Sequence, residues 1–352
     1  MTDEVICRVE GAIGRVTLNR PNALHALNTA MVQAMTEALL GWRLDPAVQA
    51  ILIDHSGERG FCAGGDIRFL ADSAAEGGEA ACDFFFREYR LNHLLMVFPK
   101  PVIAIMDGVT MGGGVGLALP ARYRIATERT RLAMPETAIG LFPDVGGGWH
   151  LSRLPGRTGV WLALTGARLE AADCLFLGLA THSIAASSLE TMKGELLARP
   201  GEVEMILNRF AQHLTEAAPV QAIRSDIDRL YGGHTLEAIR AAMAADSGAF
   251  ARAELALLDA RSPLSLKTTL SQVEEGASLP DFAAEMRQEM RIGARMVMSH
   301  DFREGVRAVI RDKDNRPLWS PATLEGVSRA MLDAVFAPLP LQREWTPLPD
   351  LA

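Results

Sequence analysis

The sequence predicts an α/β fold followed by an all-helical region, and three observations carry that reading. Over the first 200 residues short apolar strand runs alternate with helical periodicity. Two of those strands lead directly into glycine-rich turns. Beyond about residue 186 the strand signals stop, and stretches rich in Ala, Leu, Met, Arg and Glu take over. The boundary falls near 186–205, dividing the chain into a region 1–200 and a helical region 201–352.

Taken in order, residues 5–10 and 13–19 alternate apolar and polar around Gly11, as a hairpin does. Asn28 caps a predicted helix reaching about Trp42, with Ala30, Met31, Ala34, Met35, Ala38 and Leu39 at helical spacing. Val48 to Asp54 reads as a buried strand, followed by the glycine-bearing loop 59–66. The small, polar stretch from Asp72 to Glu79 predicts a mobile surface loop. A helix over 80–97 ends before Pro99-Lys100-Pro101, and the strand 102–106 runs into the loop 107–114. A short helix and a strand near 122–126 follow. Helices are then predicted over 202–216, 219–230, 235–260 and 281–310, with Ser262-Pro263 as an N-cap and first helical position.

Composition excludes several classes. A formal charge of -8 argues against a nucleic-acid binder, whose footprint is basic. The four cysteines, Cys7, Cys62, Cys82 and Cys174, are scattered without C-x-x-C pairs or metal spacing, which predicts reduced thiols. The N-terminus lacks the order of a signal or transit peptide, and no apolar run reaches the roughly 18 residues of a membrane span. A soluble, cytoplasmic protein is expected.

The chemistry is concentrated in Met134–Gly148, which sets Glu136 and Asp144 among apolar residues, Gly and Pro. Carboxylates are costly to bury without partners, so their placement there points to use as acid, base or nucleophile. The loops holding Gly64-Gly65 and Gly112-Gly113-Gly114 each follow a strand and offer backbone N–H groups with little steric cover. Such donors can hold the oxyanion formed when a carbonyl carbon is attacked. Neither loop has Walker or dinucleotide-fingerprint spacing.

The segments Arg20-Pro21-Asn22-Ala23-Leu24, Phe61-Cys62-Ala63-Gly64-Gly65-Asp66-Ile67, Met106-Asp107-Gly108 with Met111-Gly112-Gly113-Gly114, and Pro135-Glu136 occur in that order. As a set they resemble the enoyl-CoA hydratase/isomerase (crotonase) superfamily over about residues 5–190. The resemblance implies a spiral of ββα turns as an acyl-CoA-binding catalytic core, extended here by an α-helical C-terminal region. It implies an oxyanion hole built from the backbone amides of Ala63 and Gly113, with Ala63, Gly64, Gly65 and Asp66 lining the coenzyme A side. Hydratases of the family carry one catalytic Glu three residues beyond the oxyanion-hole glycine; that position is Gly116 here, with no side chain to move a proton. The second acid is kept as Glu136, and a new one stands at Asp144, where hydratases usually have Gly.

The run from Pro135 to Gly146 is similar to the 3-hydroxyisobutyryl-CoA hydrolase branch, as are Phe84-Phe85-Phe86-Arg87-Glu88-Tyr89, Ser262–Lys267, His300–Ala308 and Asp312-Lys313-Asp314. That resemblance implies thioester hydrolysis, with enoyl-CoA hydration or isomerisation, or coenzyme A binding without catalysis, as the alternatives. Glu136 is implied as general base or direct nucleophile, Asp144 as the group that positions the substrate hydroxyl or the water, and Glu88 as a further binder of that hydroxyl. His150 has no nucleophile motif to serve and reads as a packing or surface residue, and Cys62 as a small buried one. The basic residues of 287–313 read mostly as a solvated helix face. The partner is an acyl-CoA substrate, coenzyme A being part of it; no metal, cofactor, nucleic acid or membrane is called for. A homo-oligomer is compatible with the family.

Overall fold

The computed structural model describes residues 2–214 and 216–351. Strands β1 (Val5–Glu10), β2 (Ile13–Leu18), β3 (Ala50–His55), β4 (Gly60–Cys62), β5 (Val102–Met106), β6 (Val109–Met111), β7 (Tyr123–Ala126), β8 (Arg131–Ala133) and β9 (His182–Ser183) form two sheets, in the orders β1-β2-β3-β5-β7-β9 and β4-β6-β8. Only the β1–β2 hairpin is antiparallel among the described pairs. The chain therefore lays one strand in the larger sheet, one in the smaller, and then a helix, and repeats this turn: β3–β4, β5–β6, β7–β8. This is the ββα spiral. β5 is buried at every position, as parallel strands covered on both faces require.

Helices α1 (Thr29–Leu44), α2 (Ile67–Ala75), α3 (Glu79–Met96), α4 (Gly113–Ala118), α5 (Gly147–Leu151), α6 (Thr158–Thr165), α7 (Ala171–Phe176), α8 (Leu189–Ala198) and α9 (Val203–Phe210) belong to or follow these turns. The helical region continues with α10 (Pro219–Leu230), α11 (Leu236–Ala244), α12 (Ala249–Asp259), α13 (Pro263–Gly276), α14 (Phe282–Met296), α15 (His300–Val306) and α16 (Arg329–Phe336). One apolar core runs from Val16 and Ile53 through Phe85 and Phe142 to Met286, Phe302 and Trp345, so strands and late helices share it. The opposite face of the larger sheet packs Leu52, Ile103 and Ile125 against Met192, Leu196 and Leu207 of α8 and α9.

The predicted caps are present: Asn28 accepts the Met31 N–H at 2.9 Å, and Ser262 accepts that of Ser265 at 3.0 Å. Other expectations need correction. Residues Asp72–Ala75 close α2 instead of forming a loop, because the small Ser73 and Ala74 are what lets α2 lie on α3. The predicted helix 235–260 is two helices, broken where the Asp246 side chain accepts the Gly248 N–H at 2.6 Å. The stretch 281–310 breaks at 297–299, where Ser299 caps Phe302 at 3.0 Å, and ends in a π-helical turn over Arg307–Arg311. The helix predicted over 202–216 stops at Phe210. β4 and β6 lie inside segments read as loops; at three residues each they are too short for periodicity to register.

At the end of β3 the buried Asp54 ties the layers together. It accepts from Arg15 at 2.7 Å and Thr17 at 2.7 Å and pairs with Lys193 of α8 at 2.9 Å. Burial alone would raise this carboxyl, but the Arg15 hydrogen bond, the Lys193 charge and Thr17 together hold it below its usual value. Asp54→Ala leaves two cations without their shared partner and is expected to cost about 3 kcal/mol in urea unfolding at pH 7. Because the folded-state value is depressed, the stabilisation is present above the unfolded value of 3.8 and is lost as pH falls through the folded one. A difference between mutant and wild type that persists undiminished at pH 2 would contradict this.

Candidate active site

Between α2, α3, the two glycine loops and the segment 135–144 lies a chamber of about 260 Å³. It is lined by Gly64, Gly65, Phe84, Phe85, Gly112 and Gly113, and by the carboxyl groups of Glu88, Glu136 and Asp144; Val309 and Ile310 of the π-helical turn close one side. The three acids are separated in sequence and converge only in the fold. All are nearly inaccessible, at 2%, 6% and 6% exposure.

Each acid has a local reason for its position. On α3, Phe84 and Phe85 stand one turn before Glu88 and Tyr89, so that the apolar face of the helix carries its acid and hydroxyl into the chamber wall. Phe85 stacks on Tyr89 at 5.7 Å, and the Tyr89 hydroxyl donates to Asp144 Oδ2 at 2.9 Å. Glu136 opens a short 3-10 helix, Glu136–Ile139, which ends at Gly140 with φ +71°. A Cβ on Gly140 would strike the Asp301 carbonyl, and one on Gly305 the Ile139 backbone; these two glycines let α15 pack directly on the Glu136 helix. Asp144 sits at the start of a turn closed by the Gly147 N–H on its own carbonyl at 2.8 Å.

The late helices hold this segment by its backbone. Ser265 of α13 donates to the Leu141 carbonyl, Gln272 of α13 donates to the Pro143 carbonyl at 2.8 Å, and Glu289 of α14 accepts the Gly146 N–H at 2.9 Å. Of the basic residues of 287–313, Arg303, Arg311 and Lys313 are exposed as expected, while Arg291 pairs with Glu344, Arg307 with Glu304, and Arg311 with Asp72.

Electrostatically the chamber is unusual. Among the described residues none of the three acids forms an ion pair with Arg or Lys, and Glu88 Oε1 and Glu136 Oε2 are buried without a hydrogen-bond partner. Burial, followed by the charges of Asp144 and Glu136, pushes Glu88 well above the usual carboxylate range. Burial and then Asp144 do the same to Glu136. Asp144 is pushed up to about 6 by burial, with the Tyr89 hydrogen bond opposing the rise. The chamber thus keeps one charge more readily than three, and its protons belong to the group as a whole.

The glycine loops also depart from expectation in one respect. The Ala63 N–H is used: it donates to the Leu24 carbonyl at 2.9 Å, so it is not free to meet an oxyanion. The Gly65 amide lies next to Gly113, 3.3 Å from where a Cβ on Gly113 would stand. Among the described residues neither the Gly65 nor the Gly113 amide has a backbone partner, Gly113 being the first residue of α4. Gly64, at φ +109°, is what folds the two loops together. Asp66 does not line the chamber; it caps α2 at Phe69 and pairs with Arg20 at 2.9 Å. His150 packs on Phe282 at 5.9 Å outside the chamber, and burial pushes the Cys62 thiol up to about 12.

Gly116 is closed to any side chain. A Cβ there would lie 2.5 Å from Val145 Cβ and 2.9 Å from Asn92 Nδ2, and that amide donates to the Gly116 carbonyl at 3.0 Å. The space that a side chain at position 116 would need is filled by Val145, the neighbour of Asp144.

Tyr89, Gln272, Glu285 and Glu289 escaped sequence reasoning. A signal existed for the last two: they fall on the same stripe of α14 as Phe282, Met286 and Met290, where a solvated acid has no place.

Fold and chamber together set the Gly65 and Gly113 loops and the three buried acids Glu88, Glu136 and Asp144 around one cavity. The sequence profile of the enoyl-CoA hydratase/isomerase family matches residues 13–336, and the chain belongs to that family. It is 41% identical over 337 residues to the mitochondrial 3-hydroxyisobutyryl-CoA hydrolase of Xenopus laevis, covering 94% of this chain and 87% of that one. It is 39% identical to the protein of the same name from Homo sapiens, covering 96% and 89%. Among solved structures it resembles a carnitinyl-CoA dehydratase from Mycobacterium thermoresistibile at TM-score 0.93 and 40% identity, covering 98% of this chain and 99% of that one. An enoyl-CoA hydratase from Rhodobacter sphaeroides gives 0.91 and 40%, covering 98% and 100%. No described helix is long and apolar enough to cross a membrane.

Removing the Tyr89 hydroxyl tests how Asp144 is held. In Tyr89→Phe the Asp144 carboxyl loses the side-chain hydrogen bond that, with a backbone one, opposes its rise, so its titration midpoint moves above about 6. The expected displacement corresponds to roughly 1.5 kcal/mol, as for a hydrogen bond to a charged group. Carboxyl 13C NMR reads it directly, and an unmoved or lowered midpoint contradicts the assignment.

Proposed function

We propose that this chain hydrolyses 3-hydroxyisobutyryl-CoA to 3-hydroxyisobutyrate and coenzyme A. The observation that carries this reading is the exchange of one acid for another inside the chamber. Gly116 leaves no room for the first hydratase Glu, while Asp144 adds a carboxyl beside Glu136. The names of the vertebrate relatives agree; those of the two solved structures point to adding or removing water at a double bond. The missing acid at Gly116 favours the hydrolase.

In this reading the thioester oxygen accepts from the Gly65 and Gly113 amides, each such donor contributing about 2.7–4 kcal/mol to the transition state. Glu136 lies beside those donors: its Oε1 is 3.0 Å from where a Cβ on Gly112 would stand. Ionised, Glu136 is a stronger base than an ordinary carboxylate, because burial and Asp144 both penalise its charge. It takes a proton from water as the water oxygen bonds to the carbonyl carbon. The C–S bond then breaks, and the proton passes to the departing thiolate. Asp144, fixed by Tyr89, and Glu88 orient the 3-hydroxyl or the water, and coenzyme A leaves as product with no resident cofactor or metal taking part. The cysteines, all free, suit a reducing compartment such as the cytoplasm, and the reaction is a step of valine breakdown.

Release of free thiol from 3-hydroxyisobutyryl-CoA is the expected activity, falling at least about a hundredfold in Glu136→Gln. Its acid limb lies well above 4.5, the ordinary value for Glu, since the base must be ionised. Single turnover in 18O water should place the label in the released acid; label retained on the protein would mean that Glu136 attacks directly. Turnover of crotonyl-CoA without thiol release contradicts the proposal.

A further inference from the structure

Two further glutamates lie behind the chamber wall and do not line it. Glu285 and Glu289, one turn apart on α14, are completely buried, and among the described residues neither forms an ion pair. Their hydrogen bonds lead, directly or through Gln272, to the turn that carries Asp144. The Gly146 N–H is shared between both carboxylate oxygens of Glu289, at 3.1 and 2.9 Å. Gln272 of α13 donates to the Pro143 carbonyl at 2.8 Å and reaches Glu289 Oε1 at 3.3 Å and Glu285 Oε1 at 3.5 Å. Asp144 is therefore gripped on both flanks, at Pro143 by its carbonyl and at Gly146 by its amide.

The turn needs such a grip. Val145 and Gly146 have φ of +53° and +93°, and for a β-branched residue the left-handed region is costly, of order 1–3 kcal/mol. That conformation is what pushes Val145 against Gly116 and turns Asp144 toward Tyr89.

We propose that Glu289, supported by Glu285 and Gln272, is the positioning residue for Asp144: a buried carboxyl pair sharing one proton that clamps the Gly146 amide and thereby sets the Asp144 carboxylate for the reaction. The inference rests on the hydrolase reading. Two adjacent buried carboxylates cannot both remain ionised, and a shared proton removes one charge while supplying a hydrogen bond between them. The surrounding groups agree. Burial first, and then Glu285 and Asp144, push Glu289 well above the carboxylate range. Burial pushes Glu285 up to about 7, against the pull of Glu289, Gln272 and Arg153 just beyond α5, with Glu275 of α13 acting in the same sense as burial. Tyr89 of α3 also lies near Glu289. Loss of the last proton at alkaline pH would put the charges of Glu285, Glu289 and Asp144 in one packed shell and loosen the clamp, so turnover falls there.

Glu289→Gln keeps an acceptor for Gly146 and an N–H donor in place of the shared proton, whereas Glu289→Met keeps neither. The expected result is a kcat within about threefold of wild type for the Gln variant, with the alkaline fall of its pH profile abolished. The Met variant loses at least about tenfold in kcat, with KM and the Kd for free coenzyme A little changed. Infrared absorption of buried protonated carboxyl at pH 8 should be weaker in the Gln variant than in wild type, a readout independent of activity. Wild-type thiol release tests the underlying hydrolase reading separately. A Met variant with wild-type kcat, or a Gln variant as impaired as the Met one, overturns the proposal. Should the Met variant not fold, a Gln variant with the wild-type pH profile and an undiminished infrared band overturns it alone.

Discussion

Three carboxyl groups facing one apolar chamber, with no Arg or Lys ion pair among the described residues to neutralise them, are the constraint around which this protein is built. Water would solvate such groups cheaply; a packed interior does not. The chamber meets that cost by making Glu88 and Glu136 hold a proton more tightly than ordinary carboxyls, by giving Asp144 the Tyr89 hydroxyl, and by fixing each acid on a separate element. The same conditions make the site reactive. A carboxylate that holds its proton tightly is a better base once the proton is gone, and amides shielded from water act more strongly on a developing oxyanion.

That arrangement explains why the helical region cannot be an ornament on a finished core. The spiral brings Glu88, Gly65, Gly113 and Glu136 to one place, but the stretch from Glu136 to Gly146 has little regular structure of its own. Its carbonyls and amides are satisfied by Ser265, Gln272 and Glu289, and its short helix is packed by α15 through Gly140 and Gly305. A single apolar core joins both parts. One turn thus decides two features of the chamber: Val145 fills the space over Gly116, and Asp144 enters beside Glu136.

Much of this was legible in the residues. Fully buried parallel strands such as Val102–Met106 announce themselves by continuous apolar character, and Asn28 and Ser262 cap where short polar side chains precede helical periodicity. The glycine loops and the acids Glu136 and Asp144 were recognisable by residue type, Glu88 only through the family resemblance, and the fold brings these acids together. What escaped depends on contacts between distant segments. Whether an amide is available is decided by its partner: Ala63 and Gly65 look alike in a glycine-rich run, and only the Leu24 carbonyl, far back in the chain, takes the first out of play. Glu285 and Glu289 look like ordinary helix acids until the turn of Asp144 is seen to lie on them. Helix breaks at Asp246 and Ser299 were hidden because polar caps inside an alanine-rich run do not interrupt its periodicity.

The central claim is that one carbonyl lies between the two free glycine amides and the buried acids. The most direct measurement is a crystal structure with a non-hydrolysable ketone analogue of 3-hydroxyisobutyryl-CoA, in which CH2 replaces the thioester sulfur and the carbonyl is kept. The account predicts the analogue's carbonyl-equivalent oxygen at about 3 Å from both the Gly65 and Gly113 amides. Glu136 should face the adjoining carbon, and the 3-hydroxyl should lie within reach of Asp144 or Glu88. An analogue bound with that oxygen on any other donor, or with Glu136 turned away from the carbon, would contradict it.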